Sequence, residues 1–194
     1  MNPTPPPAAI RFAPDLLPGG WIREGGRVSH RASPNFDERP PGERPTLLVV
    51  HAISLPAGQF SDAGNPLYIV DLFLNQIDLE AHPDFAQLRD VRVSAHFLIL
   101  RNGQLIQLVA ADKRAWHAGV SGFQGRSACN DFSIGVELEG SDFVPFAQAQ
   151  YDTLAALTEV LCENYPIQHI VGHQDIAPER KTDPGPFFEW ALYE

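Results

Sequence analysis

Residues 172–185, "GHQDIAPERKTDPG", place His173, Lys181 and Asp183 close together in a stretch too polar for a core element and restrained by Pro178 and Pro184. A histidine nitrogen and a carboxylate oxygen are donors that zinc accepts, and a catalytic zinc takes three such protein ligands and keeps a fourth position open. The third donor must come from elsewhere in the chain. His51 is the candidate, because it interrupts an otherwise apolar run, "TLLVVHAI", residues 46–53. A lone histidine at a strand end is more often structural than functional, and no HExxH is present to settle the matter by spacing. The acid in a restrained loop beside His173 shifts the balance toward a metal site made of His51, His173 and Asp183. No cysteine is needed for it, and Cys129 and Cys162 lack CxxC spacing.

Those residues need a frame that brings distant segments to one point. The branched, apolar composition of 46–53 predicts a central buried strand. "VSAHFLIL", 93–100, and "QLIQLVA", 104–110, flank the turn signal "RNG" and predict a hairpin. "FSIGVELEG", 132–140, predicts a strand with Ile134, Val136 and Leu138 on one face and Gly135, Glu137 and Glu139 on the other. Helices are expected over 65–77, with Asn65 as N-cap and Pro66 at the first helical position, and over 147–165, where apolar residues recur at helical spacing. "HIVGH", 169–173, reads as a short strand, and "PFFEWALY" as a closing helix. Strands interleaved with helices imply an α/β fold, one domain with a central mixed β-sheet flanked by helices. The expected division is a flexible proline-rich extension over residues 1–20 and the domain over 21–194.

Bulk properties narrow the partners. At 194 residues the chain can bury about 70% of its unfolded surface, so a full core needs no disulfide staples. The formal charge of −10 repels phosphate backbones and anionic lipid surfaces, so neither nucleic acid nor membrane is expected, and no obligatory protein partner is evident. The first residues, "MNPTPPPAAIRF", lack the basic start and apolar run of a signal peptide, and the cysteine usage suits reduced thiols. A cytoplasmic location is the expectation.

"LLVVHAISLPAGQF", "VRVSAHFLILRNGQLIQLV", "DKRAWHAGVSGFQGR", "CNDFSIGVELEG" and "GHQDIAPERKTDPG" together resemble the cytoplasmic N-acetylmuramyl-L-alanine amidases of the AmpD type. These belong to a superfamily with T7 lysozyme and the peptidoglycan recognition proteins. The resemblance runs over about residues 20–190. It implies zinc as the cofactor, held at His51, His173 and Asp183. It implies Glu137 as general base and Lys181 as the stabiliser of the developing oxyanion; on the residues alone Glu139, on the same strand face, is the alternative to Glu137. It assigns Trp116, Arg92 and Arg180 to the substrate pocket. His96 is expected to be a satisfied core histidine, and His117 to line the cleft without a catalytic part. Ala52 and Ala128 depart from the family pattern, where an asparagine and a second arginine commonly stand.

The implied function is zinc-dependent hydrolysis of the amide between N-acetylmuramic acid, in its 1,6-anhydro form, and L-alanine of a small muropeptide during cell-wall recycling. A periplasmic amidase acting on intact peptidoglycan and a muropeptide-binding module without catalysis are the alternatives. The filled ligand and catalytic positions speak against the last.

Overall fold

The computed structural model describes residues 12–193. Its centre is a six-stranded sheet made of β1 (Val28–His30), β2 (Leu47–Ile53), β3 (Phe97–Ile99), β4 (Leu105–Gln107), β5 (Ser133–Glu139) and β6 (His169–Gly172). The spatial order is β6-β2-β5-β3-β4-β1. β5 runs parallel to both β2 and β3, β6 is parallel to β2, and β1 is parallel to β4. The β3–β4 hairpin is antiparallel, so the sheet is mixed, in agreement with the sequence reading. Every residue of β5 is buried, because a central parallel strand is covered on both faces and needs no polar face toward water.

Helix α2 (Gln148–Asn164) covers one face and packs Tyr151, Leu154, Leu157 and Leu161 on Leu48, Val50, Ile134, Val136 and Leu138. Burial of each such aliphatic side chain stabilises the fold by about 1.5–3 kcal/mol. Buried Gln150 ties this helix to the sheet, its Nε2 donating to the carbonyls of Ile99 at 3.2 Å and Glu139 at 3.1 Å. On the other face α1 (Tyr68–Phe73) packs Ile69, Val70, Leu72 and Phe73 over Leu98, Ile106 and Leu108. That face also carries Val49, Ala118, Cys129, Phe132 and Ile176 in a separate apolar cluster. In the β3–β4 turn Gly103 sits at φ +80°, and a Cβ there would lie 2.7 Å from the carbonyl oxygen of Ala149, so both backbone and space require glycine.

Several element limits differ from the sequence expectation. The helix over 65–77 begins only at Tyr68, after Leu67, and ends at Phe73. Asn65 does not cap it, since its side-chain amide donates to the carbonyl of Phe60 at 2.9 Å. β6 stops at Gly172, and His173 opens the short helix α3 (His173–Ile176), where the Asp175 carboxylate accepts from the Gly172 amide at 2.7 Å. The closing helix is confined to α4 (Trp190–Tyr193), because the Pro184-Gly185-Pro186 segment holds the chain in turns first. Of the expected extension over 1–20, residues 1–11 lie outside the described residues. Within the described part of that span, Leu16–Leu17 pairs antiparallel with Trp21–Ile22, and Phe12 and Leu16 pack on the core.

Candidate metal centre and active site

Strand register assembles the site. Glu137 of β5 lies directly opposite His51 of β2, and Gly172, the last residue of β6, lies opposite Val50. His173 follows immediately, so three polar side chains arrive at the carboxyl ends of adjacent parallel strands, where such sheets place functional loops. The loop after α3 turns back through bonds from the amides of Arg180 and Lys181 to the Ala177 carbonyl, both 3.0 Å. The Gln174 amide then holds the Asp183 carbonyl at 2.9 Å, which brings the Asp183 side chain to the two histidines.

The convergence is tight. His51 Nδ1 and His173 Nδ1 are 2.9 Å apart, and Asp183 Oδ2 lies 3.1 Å from the second and 3.3 Å from the first. The edges of a tetrahedral zinc site with Zn–N bonds of about 2.0–2.1 Å measure about 3.3 Å, so the spacing suits one small cation bound by all three atoms. Both histidines are buried, and burial lowers His51 to about 4 against the opposing pull of Asp183, so its imidazole is neutral and able to ligate. His173 Nε2 faces the Ala118 carbonyl at 3.3 Å, which places its proton on Nε2 and leaves the Nδ1 lone pair toward the cluster. Asp183 Oδ2 faces the same two Nδ1 atoms and completes the donor set with a carboxylate oxygen. The residues present therefore fit a divalent metal with nitrogen and oxygen ligands.

Beside these donors is a cavity of about 180 Å³ lined in part by Trp116, Glu137, His173, Lys181 and Asp183. Glu137 is buried, and its Oε2 has no hydrogen-bond partner. Burial and then the Asp183 charge push its carboxyl well above the ordinary range, while Lys181 offsets part of the effect. Glu139, its alternative, is differently placed. Its Oε1 accepts from the Ser61 amide at 2.6 Å, and its Oε2 from the Ser61 hydroxyl at 2.7 Å and the Arg101 amide at 3.2 Å. That carboxylate is committed to holding the 54–66 loop, whereas Glu137 stands in the cavity wall with an oxygen left without a partner.

The remaining sequence candidates separate. Trp116 lines the cavity, with its indole Nε1 buried and unpartnered. Arg180 is not turned into it: Nη2 donates to the carbonyls of Ala118 at 2.8 Å and Val120 at 2.9 Å and so pins that loop. Arg92 is exposed and donates to the carbonyl of its neighbour Val91 at 2.9 Å, outside the cavity lining. His96 is a satisfied core histidine, accepting from the Gly135 amide at 3.0 Å and facing the Lys113 carbonyl at 3.0 Å. His117 reaches the cavity and also touches His51 and Ser133, a pair of contacts with no signal in spacing beyond the glycine of "AWHAG".

A donor triad beside an unpartnered buried glutamate, at the carboxyl ends of parallel strands, is the equipment of a metal-assisted hydrolase. Comparison with known proteins narrows the class. The model of the N-acetylmuramoyl-L-alanine amidase family matches residues 41–186. The 1,6-anhydro-N-acetylmuramyl-L-alanine amidase AmpD of Escherichia coli strain K12 is 55% identical over 180 residues, 92% of this chain and 94% of that protein. A crystal structure of an AmpD selenomethionine derivative superimposes with a TM-score of 0.85 at 52% identity, covering 92% of this chain and 97% of that one. The amidase AmiD from E. coli, solved with the substrate anhydro-N-acetylmuramic acid-L-Ala-D-γ-Glu-L-Lys, superimposes with a TM-score of 0.55 at 30% identity, over 92% of this chain and 63% of that one. The chain belongs to the N-acetylmuramoyl-L-alanine amidase family and is an amidase. No helix among the described residues is long and apolar enough to cross a membrane.

Proposed function

We propose that the protein is a zinc amidase that cleaves the bond between 1,6-anhydro-N-acetylmuramic acid and L-alanine in small muropeptides, acting in the cytoplasm on fragments recovered during cell-wall recycling. The observation that carries this reading is the convergence of His51 Nδ1, His173 Nδ1 and Asp183 Oδ2 within 3.3 Å beside the unpaired Glu137 carboxyl. The anhydro sugar is favoured by the likeness to AmpD proteins over nearly their whole length. A cavity of about 180 Å³ is smaller than the roughly 300 Å³ of a pocket that encloses a whole ligand, so it takes the reacting amide and leaves sugar and peptide to the rim.

Zinc held by His51, His173 and Asp183 would supply Lewis acidity at the scissile carbonyl. Glu137 takes the proton of the attacking water and returns it to the leaving amine, for which a carboxyl raised above its ordinary range is suited. The Lys181 ammonium, on the same cavity wall, balances the negative charge that develops on the carbonyl oxygen. Trp116 offers an indole face to the sugar or to L-alanine. Arg92 and Arg180 act on substrate only if their side chains leave their present carbonyl partners.

The test is incubation of the purified protein with anhydromuropeptide and with reducing-end muropeptide, each with and without chelator, and identification of products by mass. Release of intact stem peptide from the anhydro substrate, abolished by chelator and restored by zinc, is expected. Zinc-loaded protein that releases peptide from neither substrate contradicts the proposal.

A further inference from the structure

His51 has a second nitrogen, and what it touches decides which lone pair the imidazole can offer. Its Nε2 lies 2.9 Å from His117 Nδ1, and His117 Nε2 lies 3.0 Å from the Ser133 hydroxyl. The same hydroxyl donates to the Cys129 carbonyl at 2.6 Å. A carbonyl oxygen can only accept, so the single hydroxyl hydrogen of Ser133 is spent there. Ser133 Oγ must then accept from His117, which puts the His117 proton on Nε2 and leaves Nδ1 as an acceptor. His51 completes the chain by donating from Nε2, and its Nδ1 is left as a bare lone pair facing His173 and Asp183. Ser133 is fully buried and His117 nearly so, and neither ring nitrogen of His117 lies against a carboxylate, so no charge competes with this order.

The strand makes room for the relay. A Cβ on Gly135 would sit 2.4 Å from His117 Cγ and 2.5 Å from His117 Nδ1. The backbone at Gly135 is not in the left-handed region, so glycine is required there by the imidazole ring rather than by conformation. Ser133, Gly135 and Glu137 point to the same face of β5, which thus supplies the relay's acceptor, the space for its ring and the acid–base carboxyl at successive positions.

We infer that His117 and Ser133 are positioning residues that fix the tautomer of His51, so that Nδ1 is presented to the metal, and that Gly135 exists to seat His117. Loss of a partner that orients a metal-binding histidine typically changes metal affinity by about 10–100-fold. The inference rests on the zinc reading above but can fail separately from it. Zinc affinity is measured by competition with a chromogenic chelator for the wild type, Ser133→Ala, Gly135→Ala, His117→Leu and His117→Gln, with the visible spectrum of each cobalt(II) form as second readout.

Affinity is expected to fall at least tenfold in His117→Leu and Gly135→Ala and by a smaller factor in Ser133→Ala. His117→Gln, whose carbonyl can accept from His51 while its amide donates to Ser133, is expected to recover most of the loss and the wild-type cobalt spectrum. The metal-free wild type needs no substitution to be informative: long-range ¹⁵N–¹H NMR should find neutral His51 protonated on Nε2. Protonation of His51 on Nδ1, or wild-type zinc affinity in His117→Leu with an unchanged cobalt spectrum, overturns the inference. A wild type that binds no zinc overturns the metal reading, and the His51 tautomer still decides the relay.

Discussion

Glu137 and Glu139 stand two residues apart on one face of one strand, and the protein treats them oppositely. Glu139 meets three donors from Ser61 and Arg101 and is used to fasten the 54–66 loop to the sheet end. Glu137 is equally enclosed, but one of its oxygens has no partner. The two histidine environments repeat the contrast. His96 has a partner for each ring nitrogen, whereas His51 and His173 aim their Nδ1 atoms at each other and at Asp183. A buried polar group that is satisfied stabilises the fold, and one left in need of a cation or a proton costs stability and marks the place where chemistry is done.

The most severe way to break the contrast is to remove a donor. Asp183→Ala should abolish tight zinc binding and bring peptide release to background, read by metal analysis and product assay on one preparation. Lys181→Ala should retain zinc and lower kcat by about 10²–10³-fold, since a single well-placed oxyanion partner contributes roughly 3–4 kcal/mol. Retention of full kcat in that variant would remove Lys181 from the mechanism. Among stability effects, Glu139→Gln should destabilise the protein by about 2 kcal/mol through weakened charge-assisted bonds to Ser61 and Arg101, a fall of about 4–8 °C in Tm.

Glu137→Gln should act on stability in the opposite direction in metal-free protein. The folded-state pKa of Glu137 is raised, so below the ordinary carboxylate range both folded and unfolded forms are protonated and Glu137 adds no pH dependence. As pH rises from that range through the raised value, the unfolded chain ionises first, and the folded state loses stability. Chemical denaturation of metal-free wild type and Glu137→Gln should therefore give curves that diverge as pH rises, with the glutamine variant the more stable. Parallel curves would mean that Glu137 is not held protonated.

Much of the frame was legible in the residues. The branched run ending at His51, the hairpin around "RNG", the strand carrying Glu137 and the helix over 147–165 are local patterns, and periodicity reports those directly. The grouping of His51, His173 and Asp183 was legible as a candidate donor set, because donor chemistry and a proline-restrained loop are sequence properties, and the structure brings the three together. Partner choice was not. Alternation puts Glu137 and Glu139 on one face and cannot separate them, since the deciding donor comes from Ser61 in a distant loop. The resemblance assigns Arg180 to the substrate pocket, and no spacing reports that the 118–120 loop presents its carbonyls to that side chain. Asn65 has the composition of a cap but is claimed by Phe60. The part played by Ser133 and Gly135 follows from a ring packed across the strand, which no spacing rule reports.

In the proposed mechanism Glu137 is the group left unpaired for proton transfer, and the donors beside it hold the metal independently of it. Its most direct test is turnover of an anhydromuropeptide by Glu137→Gln, measured on protein shown to carry one zinc per chain. Wild-type zinc content with kcat reduced by about 10²–10⁴-fold is expected, the usual weight of a positioned acid–base group. Wild-type turnover at full zinc content would contradict it.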